Sequence, residues 1–203
     1  IYILFLGILS AFSLPPYNLF FINFITFSLF FIFLFRKKRE ISKKIFFLYG
    51  WIFGFGYFLF SLYWISISLT FDQYYEFLVP LTIFLIPSFL ALFYGIISFI
   101  FLTYKPKNGL SSLLWFSLIF GVVEFVRGTI LTGFPWNLTA FSLSELTNSI
   151  QILSLIGTYS LNLLTITLFV LPSIIFFRIN IKVKILLFFA PFVVLVINNI
   201  YGF

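Results

Sequence analysis

Two opposite charges lie three residues apart within an otherwise apolar stretch of this chain. Glu124 and Arg127 belong to the segment Glu-Phe-Val-Arg-Gly at positions 124–128. Residues three apart lie on the same face of a helix, so we expect the two side chains to pair. Charge in or beside hydrocarbon is costly, and an ionisable pair there is by default a candidate functional site.

A turn at 133–137 follows the charged pair and supplies further candidate site residues. These are Phe134, Pro135, Trp136 and Asn137. In one interpretation the pair is structural and braces this turn through hydrogen bonds. In the other, Arg127 meets a lipid phosphate or a substrate headgroup, because a guanidinium matches the geometry of a phosphate. The sequence leaves both interpretations open.

The chain contains no cysteine and no histidine. It therefore carries no thiol nucleophile and no imidazole base, and it has no thiolate ligand for a metal. We assign it no catalytic residue, no metal site and no cofactor. Any chemistry that it serves must be carried out by groups outside these 203 residues.

The composition is that of a membrane protein. Hydrophobic residues make up 63% and charged residues only 8%, with a mean hydropathy of +1.20, whereas a soluble domain carries about a quarter charged residues. The net charge is +7, but all basic residues except Arg127 are confined to short loops and do not form a continuous surface. Nucleic acid is therefore excluded as a partner.

Seven apolar spans are predicted to be transmembrane helices, because continuous apolar runs of this length satisfy their backbone groups as helices. They cover 1–14, 18–35, 45–69, 78–103, 110–127, 150–177 and 185–199. The predicted fold class is all-α, a polytopic membrane bundle of about seven helices that forms one transmembrane domain over 1–203. The chain begins at Ile1 and has no methionine, and its first run reaches only about 20 Å of the roughly 30 Å hydrocarbon core. We therefore expect the N-terminus to be incomplete.

The loops predict the orientation of the bundle. All basic residues except Arg127 lie in three alternate loops, which contain Arg36, Lys37, Lys38, Arg39, Lys43 and Lys44, then Lys105 and Lys107, then Arg178, Lys182 and Lys184. The positive-inside rule places these loops in the cytoplasm and the C-terminal exit on the outer side. The opposite loops carry Asp72, Glu76 and Glu145, which we interpret as solvated.

Two stripes of small or polar residues are expected to pack against other helices. The third span has Gly50, Gly54, Tyr57, Ser61, Trp64 and Ser68 on one face, and the sixth has Gln151, Ser154, Thr158, Asn162 and Thr165. Small residues let helices approach closely, and polar residues form hydrogen bonds between them. Trp64 and Ser68 lie nearer the outer end, where they could line a groove through which lipid enters.

Four segments resemble the apolipoprotein N-acyltransferases of bacteria. They are 124–128 with 132–137, then 13–18 (Ser-Leu-Pro-Pro-Tyr-Asn), 63–68 (Tyr-Trp-Ile-Ser-Ile-Ser) and 156–162 (Ile-Gly-Thr-Tyr-Ser-Leu-Asn). They occur in the family's order across nearly the whole chain. The resemblance implies an enzyme of the bacterial inner membrane that transfers an acyl chain from a phospholipid to the N-terminal amine of diacylglyceryl-cysteine in a lipoprotein.

The resemblance also implies what this chain lacks. Family members react through a cysteine thioester in a nitrilase-like domain with a Glu-Lys-Cys triad, located between the seventh helix and an eighth. This sequence stops at Phe203, where that domain is expected to start, so we expect the chain alone to be inactive. The implied partners are the phospholipid acyl donor, the diacylglyceryl-modified apolipoprotein and membrane lipids. The expected substrate or lipid site consists of Trp64, Glu124, Arg127 and the turn residues Phe134, Pro135, Trp136 and Asn137.

Other functions fit parts of the same pattern. A similar membrane region occurs in some assemblies that synthesise polyprenyl-phosphate mannose, with a glycosyltransferase as the catalytic part. A transporter or channel subunit would call for ionisable residues at mid-membrane or paired broken helices. A non-catalytic membrane scaffold is the remaining alternative.

Overall fold

The computed structural model describes residues 1–37, 40–131 and 133–201. Its α-helices are α1 (Tyr2–Ala11), α2 (Ile22–Phe35), α3 (Lys43–Ser61), α4 (Val79–Tyr104), α5 (Gly109–Thr129), α6 (Thr147–Ile150), α7 (Leu153–Ile156), α8 (Thr158–Val170) and α9 (Ile181–Tyr201). Short 3₁₀ helices occupy Tyr63–Phe71, Gln73–Leu78, Thr139–Leu143 and Leu171–Phe176. Lys38 and Arg39 of the first basic loop, Thr132 before the 133–137 turn, and Phe203 lie outside the described residues.

The structure confirms an all-α membrane bundle. Within the described residues, five helical stretches are long and apolar enough to cross a membrane: Lys43–Ser61, Gln73–Tyr104, Gly109–Thr129, Thr158–Phe176 and Ile181–Tyr201. The first two predicted spans contain α1 and α2, which are apolar but shorter. At 1.5 Å per residue they extend about 15 and 21 Å, less than the roughly 30 Å hydrocarbon core.

The third predicted span is not one continuous helix. The α-helix α3 ends at Ser61, and the chain continues as the 3₁₀ helix Tyr63–Phe71. In this segment the hydroxyls of Ser66, Ser68 and Thr70 each donate to the carbonyl three residues earlier, at 2.6–2.8 Å. Such local bonds compete with α-helical pairing, and β-branched residues are stiff in a helix. Trp64 therefore lies beyond the end of α3 and not on its face.

The sixth predicted span is interrupted as well. Gly157 has φ +77° and separates α7 from α8, and after α8 the chain continues as the 3₁₀ helix Leu171–Phe176, which contains Pro172. A left-handed glycine is a common way to end a helix, because it has no Cβ to clash. Of the predicted polar stripe, Asn162 and Thr165 are buried on α8 whereas Gln151 and Ser154 are exposed.

The core is dominated by phenylalanine rings where α2, α3, α4, α5 and α8 meet. Phe30 and Phe53 stack with their centroids 4.1 Å apart, and both side chains are fully buried. The glycines of α3 let α4 approach, as the sequence predicts. A Cβ at Gly50 would lie 1.9 Å from the carbonyl oxygen of Tyr94, so only glycine fits there.

The basic loops meet at one end of the bundle. Lys105, after α4, donates to the carbonyl oxygens of Phe35 and Lys37 at the end of α2. The Arg36 guanidinium lies over the Phe176 ring, 5.6 Å from its centroid, which joins the end of α2 to the segment after α8. The charged pair on α5 lies at the opposite end, in the last two turns before Thr129.

Candidate functional site

The charged pair on α5 forms a buried, two-pronged ion pair. Nη2 of Arg127 lies 2.7 Å from Oε2 of Glu124, and Nε lies 3.2 Å from Oε1. The residues are 1% and 0% exposed. Tyr57 and Tyr94 are buried beside them, and the Phe58 ring centroid lies 5.3 Å from the guanidinium carbon. The predicted pairing is confirmed, and it is deeper than its position near a helix end suggested.

Arg127 also holds the turn that follows α5. Its Nη1 donates to the carbonyl oxygen of Phe134 at 2.7 Å and to that of Trp136 at 3.1 Å. The backbone N–H of Phe134 in turn donates to the carbonyl oxygen of Arg127 at 3.2 Å. One side chain therefore neutralises a carboxylate and fixes two peptide groups of the 133–137 turn.

The backbone around this turn has an unusual conformation. Leu131, Gly133 and Asn137 all have positive φ, at 53°, 77° and 58°. The left-handed region suits glycine and is tolerated by asparagine, but it is strained for leucine and persists only where surrounding contacts hold it. The bonds from Arg127 supply such contacts.

The turn is also fixed to the end of α3. The Tyr57 hydroxyl donates to the carbonyl oxygen of Asn137 at 3.0 Å, and Nδ2 of Asn137 donates to the carbonyl oxygen of Ser61 at 3.2 Å. Nε1 of Trp64 donates to the same Ser61 carbonyl at 3.1 Å. The last carbonyls of a helix lack hydrogen-bond donors within that helix. Here Asn137 and Trp64, from two separate segments, donate to the Ser61 carbonyl at the end of α3.

A surface groove of about 350 Å³ lies beside this arrangement. Its lining residues are Leu14, Pro15, Ser61, Trp64, Trp136, Asn137, Phe141 and Ser144. The lining is mostly apolar, and Trp64 and Trp136 are about half exposed. A groove of this shape and composition can accept part of a lipid or acyl chain, with the amide of Asn137 at its wall.

The structure brings together the predicted site residues in two layers. Trp64, Trp136 and Asn137 line the groove, whereas Glu124 and Arg127 lie buried behind the turn. Phe134 packs against the core and Pro135 is exposed on the turn. The burial of Arg127 favours the interpretation in which the pair braces the turn. Direct contact with a phosphate stays a prediction, and it requires the guanidinium to be uncovered.

Sequence reasoning missed several groups that build this end of the molecule. Nδ2 of Asn18 donates to Oε1 of Glu145 at 2.8 Å, which ties the turn after α1 to the segment before α6. Glu145 is thus exposed, as expected of a solvated loop residue, but it also accepts a hydrogen bond that its loop position does not predict. Phe141 and Ser144 of the groove carried no signal in the sequence, because their role depends on contacts between distant segments.

The described residues contain no cluster of three or more groups suited to a metal ion. Among the acidic residues only Asp72 and Glu76 lie close together in sequence, and the chain has no histidine or cysteine. What the arrangement offers is a fixed turn, two indole rings and an apolar groove at the end of the bundle opposite the basic loops.

Comparisons with known proteins give the family. Residues 6–171 match the family described as the apolipoprotein N-acyltransferase N-terminal domain. Among curated proteins, the apolipoprotein N-acyltransferase of Rhodopseudomonas palustris is 33% identical over 175 residues, which are 83% of this chain and 32% of that protein. The proteins of the same name from Brucella melitensis and Rhizobium rhizogenes are 35% identical over 126 residues (62% of this chain, 24% of that protein) and 28% identical over 176 residues (83% and 33%).

The chain spans about a third or less of the length of these curated relatives. The family match runs from the middle of α1 through α8 and includes both layers of the candidate site. Because the family match extends over most of its length, this chain belongs to the apolipoprotein N-acyltransferase family and carries the N-terminal domain of that family.

Proposed function

We propose that this chain is the membrane-embedded part of an apolipoprotein N-acyltransferase. The complete enzyme would transfer an acyl chain from a phospholipid to the N-terminal amine of diacylglyceryl-cysteine in a lipoprotein. The chain has no cysteine, so the nucleophile of such a transfer would come from outside these residues. By itself the chain would be inactive, and its role would be to position lipid-anchored partners.

The observation that carries the proposal is the groove beside the braced turn. Both proposed substrates, the phospholipid and the diacylglyceryl-modified apolipoprotein, are anchored in the membrane by apolar chains. A groove fixed at one depth would bring their reacting ends to a constant height, and such positioning supplies much of the rate in a reaction between two bound partners. Trp64 and Trp136 would contact the apolar chains, and Asn137 would face the polar region.

The proposed setting is the bacterial inner membrane, with the basic end of the bundle in the cytoplasm. The distribution of lysine and arginine supports this orientation. It would put the groove at the outer face, with other membrane lipids around the bundle.

The test is a chimeric enzyme in which this chain replaces the matching segment of the Rhodopseudomonas palustris relative. Purified chimera is mixed with phospholipid vesicles and a diacylglyceryl-cysteine peptide, and mass spectrometry records the gain of one acyl chain. We expect the chimera to acylate the peptide and the isolated 203-residue chain to leave it unchanged. A well-inserted chimera without activity, or acylation by the isolated chain, would contradict the proposal.

A matched pair of variants tests the site within the chimera. Arg127→Ala should lower acylation far more than membrane insertion, because it releases the turn that walls the groove. Arg178→Ala removes an exposed arginine at the other end and should leave acylation within about twofold. Equal loss of activity and insertion in Arg127→Ala would mean that the residue serves folding alone.

A further inference from the structure

A second groove opens at the basic end of the bundle, remote from the site described above. It has a volume of about 480 Å³ and lies against α2, between the start of α1 and the 3₁₀ turn after α8. Leu29, Ile32 and Phe33 form its apolar floor, and the Phe176 ring stands at one side. Arg36 and Lys37 are the charged residues of its lining, one turn beyond the floor.

Aromatic rings of the groove, and Tyr49 of α3 next to it, contact the two cations. The Arg36 guanidinium carbon lies 5.6 Å from the Phe176 ring centroid. The Lys37 ammonium lies 4.2 Å from the Phe33 centroid and 5.3 Å from that of Tyr49. Cation–π contacts of this kind restrict the side chains without using their N–H donors.

Those donors have no protein acceptor in the part of the chain that the structure describes. No described carboxylate lies within ion-pair distance of Arg36 or Lys37, and their side chains donate no hydrogen bond to a described residue. The carbonyls at the end of α2 are meanwhile taken by Lys105, which donates to Phe35 and Lys37. The groove therefore presents two fixed positive groups above an apolar floor.

We propose that this groove binds one anionic phospholipid, with its phosphate at Arg36 and Lys37 and an acyl chain along Leu29 and Ile32. Charge complementarity favours an anion, and an arginine and a lysine together suit a phosphate. The apolar floor selects a lipid over a free phosphate ion. This lipid occupies a site at the end of the bundle opposite the Trp64–Trp136 groove, so its binding does not depend on the proposed acyl transfer.

The test is native mass spectrometry of the full 203-residue chain in detergent micelles. The protein is titrated with equal amounts of dioleoyl-phosphatidylglycerol and dioleoyl-phosphatidylcholine, and retained lipids are counted. We expect a preference of about 25-fold for phosphatidylglycerol, since each of the two cations near the lipid surface contributes about a fivefold gain. Equal retention of the two lipids would overturn the proposal.

Two charge variants separate this groove from a general attraction to the basic end. R36Q/K37Q should reduce phosphatidylglycerol retention to the level of phosphatidylcholine. The matched control K43Q/K44Q removes the same charge from exposed positions at the start of α3 and should change retention by less than twofold. Equal losses in the two variants would show that net charge, and not this groove, attracts the lipid.

Leu29→Trp tests the apolar floor without changing the charge. The larger ring should fill the groove and lower retention of phosphatidylglycerol about as much as R36Q/K37Q, while circular dichroism reports unchanged helicity. Retention at the level of the unsubstituted protein in this variant would overturn the proposed path of the acyl chain.

Discussion

Arg127 concentrates several structural functions in one buried side chain. It forms both bonds of a two-pronged contact with Glu124 and donates two further hydrogen bonds to backbone carbonyls of the turn. A buried charge is tolerated only when its hydrogen-bonding groups have partners, and removing one partner is far more costly than replacing both. The pair is therefore expected to specify the conformation of the turn more than to add to net stability.

A double-mutant cycle tests this coupling. Glu124→Leu leaves the Arg127 charge buried without its carboxylate and should lower the free energy of unfolding by about 3–5 kcal/mol. Arg127→Met should destabilise as well, through the lost carbonyl contacts. The double variant should be destabilised by about 1–3 kcal/mol less than the sum of the two single destabilisations.

The measurement is unfolding in mixed detergent micelles. The control is Lys182→Met, which removes an exposed cation. Strict additivity would mean that the two side chains do not depend on each other.

At the scale of elements, α3 is held between α1 and α4 at backbone contact distance. Gly50 faces Tyr94 of α4, and Gly7 of α1 faces the carbonyl of Phe53 from the other side. Such close approach increases the packing contacts that drive helix association in a membrane, where apolar surface gains little from burial. The position of α3 fixes Tyr57, Ser61 and, beyond its end, Trp64. The geometry of the site thus depends on glycine positions several turns away.

Gly50→Ala should therefore destabilise the bundle although alanine is the better helix former. Its Cβ would lie 1.9 Å from the Tyr94 carbonyl oxygen, so α3 and α4 must separate, at a cost of about 1–3 kcal/mol. Unfolding in mixed micelles measures the loss. Leu48→Ala changes an exposed residue of the same helix and should shift stability by about 0.5 kcal/mol or less. A Gly50→Ala protein as stable as the Leu48→Ala control would show that the two helices are not in contact there.

The sequence predicts these elements unequally well, and the reason is physical. Long apolar runs predict α4, α5 and α9 correctly, because the length and hydropathy of a segment can be read from its own residues. The end of α3 at Ser61 and the break at Gly157 depend on hydroxyl-to-carbonyl bonds and one backbone angle, which hydropathy does not reveal. Spacing alone predicts the pairing of Glu124 with Arg127. The groove between Trp64 and Trp136 is formed by residues more than a hundred positions apart, such as Leu14 and Phe141. A single sequence does not show that such residues are in proximity.

At the scale of the whole molecule, the bundle has two chemically distinct ends. One end is basic, and there Lys105, Arg36 and the segment after α8 lie together. At the other end Asn18 donates a hydrogen bond to Glu145. A membrane protein with such asymmetry has a preferred orientation, because positively charged loops are retained in the cytoplasm. The lipid groove at Arg36 and the braced turn at Arg127 would then face opposite leaflets.

The absence of cysteine from the sequence makes this arrangement directly measurable. Single cysteines introduced at Gln73 or Glu76, between α3 and α4, should react with a membrane-impermeant maleimide added to intact spheroplasts. Cysteines at Ser42 or Lys107, in the basic loops, should react only after the membrane is permeabilised. All four positions are exposed, so accessibility within the protein is matched and only the membrane separates the pairs.

Reversed labelling would overturn the orientation proposed for the groove. Labelling of all four from one side would contradict the two-ended bundle itself, because α3 and α4 would then not cross the membrane between these loops.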